Sequence, residues 1–438
     1  MKSINIGICG LGTIGAGTFN LLQQNSPVIA QRTGTELKVI QVSDLVDNPA
    51  CDLSSVDLSR DVFEVARNPE VQVLVELIGG TTTALKLILT AIEENKHVVT
   101  ANKALIAQHG REIFAAAQQR GVMVAYEAAI GGGIPIVKAL REGLVANQVQ
   151  WIAGIINGTS NYILTEMEEK QRDFADVLAE AQQLGYAEAD PTFDIEGIDA
   201  AHKLTILSSI AFGHPLQFDQ AYTEGIAEIS QKDIRFASEL GYRIKHLGIT
   251  RRLDDGLELR VHPALVARKD LLANISGVMN AVLVNSDAAG STMYYGAGAG
   301  AVPTASAVVA DIVDITRSLD LPIEDRISYM SFQPEHIQAE KILPVSEIQS
   351  AYYLRMDALD KPGVMANISR ILSEDQISIE ALIQKEAQSM GQETSVPIVI
   401  ITNRVREHLM DHAIAAIEDL PDLQGSVTRI RVESLAGE

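Results

Sequence analysis

A short apolar run, Ile4 to Cys9, passes straight into Gly10-Leu11-Gly12-Thr13-Ile14-Gly15, after which Phe19, Leu21 and Leu22 continue at helical spacing. Strand, glycine turn and helix in that order give a GxGxxG spacing its meaning, and nothing else constrains this chain as strongly. Gly10 permits the tight turn, Gly12 lets backbone approach a pyrophosphate, and Gly15 lets helix and strand pack closely. Phosphates would rest on backbone N–H groups at the positive end of the helix. The same glycines argue against a secretion signal despite Lys2, because Gly7, Gly10, Gly12, Gly15 and Gly17 would weaken an apolar helix.

Downstream, Leu37–Ser43, Val71–Ile78, His97–Thr100 and Val122–Tyr126 read as strands, with helical patterns over Ala84–Asn95 and Arg111–Arg120. The alternation predicts a Rossmann-type doubly wound parallel sheet that binds ligands at its carboxyl ends. Asp44 follows the second strand, where an acid would accept from a ribose 2′-hydroxyl, as in NAD binding. No Arg or Lys lies between Lys38 and Arg60 to greet a 2′-phosphate, so NAD is accepted and NADP stays open. A solvated loop aspartate is the plain alternative. Ile78-Gly79-Gly80-Thr81 offers backbone that would border a nicotinamide. Thr100-Ala101-Asn102-Lys103 brings an ammonium to the same rim, where it is either functional or merely solvated.

The middle of the chain carries acids and lysines in a telling order. Tyr126–Gly133 reads YEAAIGGG, followed by Ile134-Pro135. Glycine carbonyls plus the Glu127 carboxylate suit a hard cation, but on the residues alone a flexible hinge between domains is the favoured account of the glycines. From Leu184 to Gly213, Glu188, Asp190, Asp194, Glu196 and Asp199 precede an apolar helical pattern. Asp199 and Lys203 stand four apart and share one helical face, as a surface ion pair or as a proton-transferring site. His202 is a rival acid, although its position three residues from Asp199 also suits a packed or capping role. Gly296-Ala297-Gly298-Ala299-Gly300 leads into a helical pattern over Thr304–Ser318 and would approach a nicotinamide or phosphate.

Formal charge is −22, from 35 Lys and Arg against 57 Asp and Glu, with no basic cluster, which excludes nucleic acid and anionic membrane as partners. No apolar run reaches the roughly 20 residues of a spanning helix. Two cysteines cannot build a disulfide framework. The expectation is a soluble protein of a reducing cytoplasm with two or three domains in its 438 residues. Past a Pro-containing stretch, Phe332–Ser350, the pattern reads β-α-β-β-α-β, which is ferredoxin-like.

Together these elements resemble homoserine dehydrogenase over nearly the whole chain. The carrying residues are GLGTIG at 10–15, TANKALIA at 100–107, YEAAIGGGIP at 126–135, LGYAEADPTFDIEGIDAAHKL at 184–204 and GAGAG at 296–300. The resemblance implies reversible NAD(P)-dependent interconversion of L-homoserine and L-aspartate 4-semialdehyde, in biosynthesis of threonine, methionine and isoleucine. It implies Lys203 as proton donor or acceptor, Lys103 as a second active-site lysine touching cofactor, and Asp194 as a further acid. Glu188 and Asp199 match the substrate-holding acids. Gly10, Leu11, Gly12, Thr13, Ile14, Gly15, Asp44, Gly185 and Gly300 match cofactor contacts. Glu127 with the backbone of Ile130, Gly132 and Ile134 matches a monovalent cation site, usually sodium. Many members carry Arg where this chain has Ser43, so an S43R change is expected to favour NADPH.

The implied organisation is a Rossmann domain over 1–130, an α+β substrate and dimerisation domain over 131–320, a linker over 321–349 and a C-terminal unit over 350–435. No aspartate-kinase domain precedes the dehydrogenase, so the monofunctional type is implied. Asp360-Lys361-Pro362-Gly363-Val364 resembles the amino-acid-binding loop of an ACT domain, with L-threonine the expected effector through Asp360, Gly363 and Val364. A homodimer or homotetramer is implied, and truncation near Ser350 is expected to leave an active enzyme that ignores threonine. Another dehydrogenase of a small amino acid or semialdehyde, or a non-enzymatic amino-acid sensor, would share much of this pattern.

Overall fold

The computed structural model describes residues 2–385 and 395–435. By contact, the chain forms two compact units, each assembled from separate stretches. Met1–Gly158, Asp199–Ala221 and Val278–Glu340 make the first; Thr159–Ile198, Tyr222–Gly277 and Lys341–Glu438 make the second.

In the first unit, β1 (Lys2–Cys9), β2 (Thr35–Ser43), β3 (Asp57–Ser59), β4 (Val73–Glu76), β5 (His97–Thr100) and β6 (Val124–Ala125) form a parallel sheet. Their order is β3-β2-β1-β4-β5-β6, so the strand order reverses between β1 and β4, where Rossmann folds bind dinucleotides. The helical connections are α1 (Thr13–Thr33), α2 (Val62–Arg67), α3 (Thr82–Glu93) and α4 (Lys103–Arg120). Ile4, Ile6, Ile8, Val73, Val75 and Val99 are fully buried, as expected of strands covered on both faces. The helix Ala301–Ser318 joins that core through Val308, Ile312 and Ile315. It lies tight against α1: a Cβ on Gly17 would come within 2.9 Å of the Ala301 carbonyl oxygen.

α4 starts at Lys103, eight residues before the helical pattern read from the sequence at Arg111. Asn102 caps it, its side chain accepting from the Leu105 N–H at 3.1 Å. Gly110 interrupts the apolar pattern inside this helix for a packing reason, since a Cβ there would lie 2.6 Å from Leu216 Cδ1. The first unit also holds the antiparallel strands Val149–Ile155, Met279–Ser286 and Gly290–Ala297, and most of the helix Ile198–Phe212. That helix is buried nearly all round, so its polar residues need internal partners.

In the second unit, Tyr242–Leu253 and Gly256–Ala267 pair antiparallel, and the last strand, Leu423–Glu433, pairs parallel with Gly256–Ala267. From Gln349 the elements run as strand Gln349–Leu359, helix Val364–Glu374, strands Ile379–Gln384 and Ser395–Thr402, helix Glu407–Glu418 and the last strand. The four strands lie antiparallel in the order Leu423–Glu433, Gln349–Leu359, Ser395–Thr402, Ile379–Gln384. Tyr352, Leu354, Ile368, Leu372, Ile398, Ile400 and Met410 pack between this sheet and its two helices. Among the described residues no helix is long and apolar enough to cross a membrane.

Candidate active site

The glycine turn after β1 is as tight as its sequence demands. Gly10 has φ +96°, and a Cβ there would lie 2.6 Å from the Leu77 carbonyl oxygen. A Cβ on Gly15 would lie 1.9 Å from the Gly10 carbonyl oxygen, so side chains at either position would force this turn apart. α1 then opens at Gly12 without a side-chain cap and without an acid in its first turn, including Thr13 and Ile14. Its first N–H groups therefore suit an anion, and the residues present fit a dinucleotide pyrophosphate. Gly300, with φ +113°, caps the helix Ala301–Ser318 that packs on α1.

At the end of β2, the Asp44 carboxylate accepts hydrogen bonds from the backbone N–H groups of Leu11 and Val46, tying this acid to the glycine turn. Arg60 reaches the same place through the fold, Nη1 donating to the Asp44 carbonyl at 3.0 Å and Nη2 pairing with Asp47. The sequence showed no nearby guanidinium; β3, lying beside β2, supplies one. Ser43 is fully buried at the last position of β2, so an arginine placed there would have to lead its guanidinium out past the strand end to meet a 2′-phosphate. Leu45, 82 % exposed, is the position from which an added arginine could reach a ligand.

The helix Ile198–Phe212 carries Asp199 and Lys203 on one face, both buried. Lys203 Nζ donates to Asp199 Oδ2 at 2.7 Å and to the Ile156 carbonyl at 2.8 Å. On the other oxygen, Lys103 Nζ lies 3.0 Å from Asp199 Oδ1. One carboxylate thus spans two ammonium groups brought from α4 and from its own helix. Asn157 Nδ2 adds a third interaction, donating to Asp199 Oδ2 at 2.9 Å. Burial alone would raise the Asp199 pKa, but Lys203 and Lys103 together with these hydrogen bonds hold it well below the usual carboxylate range. Lys203 side-chain exposure is 10 % against 37 % for Lys103, so one amine is enclosed and the other opens to solvent.

His202 is no rival acid in this arrangement. Burial pushes its imidazole down to about 4, and its ring stacks on Phe218 at 4.2 Å between centroids. Its Nε2 lies 3.4 Å from Gln108 Nε2. A neutral, packed imidazole at pH 7 has no proton to give.

The Glu127 region differs from its sequence reading in one respect. Both carboxylate oxygens are occupied, accepting from the backbone N–H groups of Val137 at 2.9 Å and Lys138 at 2.8 Å. The side chain therefore begins the next helical turn, and the loop's remaining oxygens are backbone carbonyls, of which those of Glu127 and Ile134 also accept from the N–H groups of Ile130 and Ile136. Gly132 has φ +56° and packs on Ala297 and Gly298, which turns this loop back on itself. Carbonyl oxygens are fitting ligands for a hard monovalent ion. No group of three or more His, Cys, Asp or Glu among the described residues could hold a metal.

Glu188, Asp194 and Gly185 belong to the second unit. Glu188 is exposed, its carbonyl accepting from Gln182 Nε2 at 3.1 Å, and the Asp194 carbonyl accepts from Ser160 Oγ at 2.9 Å. The Asp360–Val364 loop is mostly exposed and turns into the helix Val364–Glu374 at Gly363, whose φ is +97°. Asn157 and the Ile156 carbonyl were missed from sequence, because they lie 42 and 47 residues from their partners. Glu76 was missed too, although an acid inside the apolar run Val71–Ile78 was a legible signal.

Two family models match the chain: one described as homoserine dehydrogenase, NAD binding domain, over residues 10–127, and one described as homoserine dehydrogenase over residues 135–313. A homoserine dehydrogenase of Pseudomonas aeruginosa is 59 % identical over 435 residues, covering 99 % of this chain and all of the relative. A crystal structure of a homoserine dehydrogenase from Thiobacillus denitrificans superposes with a TM-score of 0.94 at 54 % identity, covering 100 % of this chain and 99 % of that one. A hyperthermophilic archaeal homoserine dehydrogenase mutant in complex with NADPH gives a TM-score of 0.61 at 26 % identity, over 73 % of this chain and 99 % of that one.

Proposed function

The chain belongs to the homoserine dehydrogenase family, oxidoreductases acting on a CH–OH group, and from that premise we propose how its residues interconvert L-homoserine and L-aspartate 4-semialdehyde. The observation that carries the reading is the single buried Asp199 carboxylate spanning the ammonium groups of Lys103 and Lys203. Bound NAD(P)H supplies the hydride that reduces the aldehyde carbon. Lys203 spends two of its three N–H donors on Asp199 and the Ile156 carbonyl, which leaves one for the substrate oxygen. As charge develops on that oxygen, the ammonium first stabilises it and then protonates it, a role worth about 10²–10⁴-fold. Lys103, at the exposed side of Asp199, holds substrate and faces the cofactor. Asp199 fixes both amines, Glu188 binds the substrate ammonium, and Asp194 is a further active-site acid.

The reverse reaction needs an uncharged amine at Lys203, which rising pH supplies. Oxidation of homoserine therefore accelerates at alkaline pH under saturating substrate; a flat or acid-shifted profile removes Lys203 from the base role. Replacing Glu188 raises KM for the semialdehyde, because pairing with the substrate ammonium is ground-state binding; an effect confined to kcat contradicts the assignment.

The pyrophosphate lies on Gly10 to Gly15, the ribose beside Asp44, and Gly185, Gly300 and Lys103 complete the contacts. Asp44 supports use of NADH, and Arg60 beside it supports acceptance of a 2′-phosphate. R60A then lowers the NADPH to NADH activity ratio, and L45R raises it. The carbonyls of Glu127, Ile130, Gly132 and Ile134 hold a sodium ion, tested by adding NaCl against choline chloride at constant ionic strength. The protein works in the cytoplasm, in the biosynthesis of threonine, methionine and isoleucine, as a homodimer or homotetramer, which sedimentation tests.

We propose the linear division 1–130, 131–320, 321–349 and 350–435, the last a ferredoxin-like ACT domain. Its strand order and β-α-β-β-α-β connectivity support that reading. L-threonine bound at Asp360, Gly363 and Val364 inhibits by favouring a less active state, and a coupling of about 1–3 kcal/mol changes substrate affinity about 5–150-fold. The decisive measurement is steady-state kinetics with aspartate semialdehyde and each reduced cofactor, with and without threonine. No turnover with that substrate sinks the reaction; turnover indifferent to threonine sinks the regulation alone.

A further inference from the structure

Glu76 ends β4, and its side chain is fully buried among apolar neighbours. A carboxylate in such a place is costly unless its oxygens are hydrogen-bonded. Here both are. Oε1 accepts from the backbone N–H groups of Ile78 at 3.0 Å and Gly79 at 3.2 Å, and Oε2 accepts from the Thr100 hydroxyl at 2.6 Å. Thr100 Oγ1 in turn accepts from the Asn102 N–H at 3.0 Å. Asn102 uses both ends of its amide: Nδ2 donates to the Gly80 carbonyl at 2.6 Å, and Oδ1 accepts from Leu105 N–H at the start of α4. The first residue of that helix is Lys103, whose ammonium faces Asp199.

Two arms therefore leave one carboxylate. The Oε1 arm holds the loop Ile78-Gly79-Gly80, whose glycines sit at φ +71° and +69° and owe their position to what grips them. The Oε2 arm runs through Thr100 and Asn102 to the helix start that aims Lys103. An apolar residue would avoid burying a carboxylate, but it would leave the Ile78 and Gly79 N–H groups without this acceptor.

We propose that Glu76 is a positioning residue, which fixes the loop bordering the nicotinamide and the Lys103 ammonium relative to each other. The inference rests on the nucleotide reading of this sheet and adds to it a buried acid that touches neither substrate nor cofactor.

The arms can be cut separately. E76A removes both; T100V keeps the shape of the side chain and cuts the Oε2 arm alone, losing the hydroxyl's bonds to Glu76 Oε2 and to the Asn102 N–H. Each is measured for affinity towards the reduced dinucleotide, for affinity towards ADP-ribose or its 2′-phosphate, which lack the nicotinamide, and for kcat and KM with the semialdehyde. E76A is expected to weaken the dinucleotide about 5–30-fold while ADP-ribose stays within about two-fold. T100V is expected to keep ADP-ribose affinity near wild type while kcat/KM for the semialdehyde falls about 10–100-fold, because a mis-aimed Lys103 loses its hold on the substrate as well as rate. Wild-type values in both variants overturn the proposal, as does ADP-ribose affinity falling in step with the dinucleotide, which marks a general loss of packing. Should E76A not fold, T100V decides alone. If the wild type itself fails to bind ADP-ribose, the nucleotide reading falls first and takes this inference with it.

Discussion

In the first unit one buried carboxylate, Asp199, faces two ammonium groups. In the second, two buried guanidinium groups each face two carboxylates. Arg260 pairs with Glu258 at 2.9 Å and with Glu433 at 2.5 Å; Arg431 reaches Glu224 at 2.6 Å and donates from Nε to Glu407 at 2.8 Å. Arg260, Glu258, Arg431 and Glu407 are each within 2 % of complete burial, whereas Lys103 keeps a side chain 37 % exposed. Burial pushes charges toward their partners in both places, and the balance differs. A guanidinium saturated by acids has nothing left to offer a ligand. Two ammoniums sharing one acid keep positive charge in reserve, which is what a developing alkoxide requires. Charge surplus on a partly exposed side chain, rather than charge burial as such, separates the cluster proposed to react from the structural one.

Removing residues beyond Ser350 would break the comparison most severely. The sequence expectation was a working, threonine-blind enzyme. The second unit instead threads its last strand against Gly256–Ala267, and truncation strips Arg260 of Glu433 and removes Arg431 altogether. The expected outcome is an aggregating product without a cooperative unfolding transition; a soluble truncated enzyme with full kcat would show that this sheet is dispensable.

Next in size, K203A should lower kcat by about 10²–10⁴-fold with cofactor affinity unchanged and stability little altered. Near-normal turnover would transfer the proton role to Lys103 or to water. The mirror experiment is R260A, which should leave kcat per folded molecule unchanged and cost about 3–5 kcal/mol in denaturant titrations, since it strands two buried acids. Replacing the triad together, as E258L/R260M/E433L, should restore most of that stability. If it does not, the triad does more than hold itself together.

The smallest effect per residue is shared by both units. Burial lowers His97 and His202 in the first, and His246 in the second, to about 4, and holds His262 well below the usual imidazole range. Each is neutral in the folded chain and takes up a proton near pH 6.5 when unfolded. Between pH 6.5 and 4 the unfolded state therefore binds more protons, so stability is full above 6.5 and drains as pH falls. The slope is at most about 1.4 kcal/mol per pH unit for each histidine. Denaturation midpoints at pH 7, 6 and 5 check this, and a flat response would mean these rings charge without leaving the core.

What could be read from sequence follows range. The glycine turn and the Asp199–Lys203 spacing are local, and both were legible because GxGxxG and a four-residue step each fix geometry within one element. β5 was read to its true ends, His97 and Thr100, whereas the first turns of α4 were lost because Gly110 masked a helix that Leu216 shapes. Asn157 and Glu433 beside Arg260 were not legible at all, and Arg60 was legible only as the basic residue that ends the stretch after Lys38. Their partners come from other elements, and no periodicity records which strand ends meet.

The pairing of Arg260 with Glu433 spans 173 residues of chain. At a ribosomal pace of 5–20 residues per second, roughly ten to thirty-five seconds pass between synthesis of the two. During that interval the edge of Gly256–Ala267 is made but has no last strand to pair with. A chain interrupted before the strand Leu423–Glu433 would present an unpaired strand edge beside an incompletely matched guanidinium, the kind of surface that chaperones hold and proteases find.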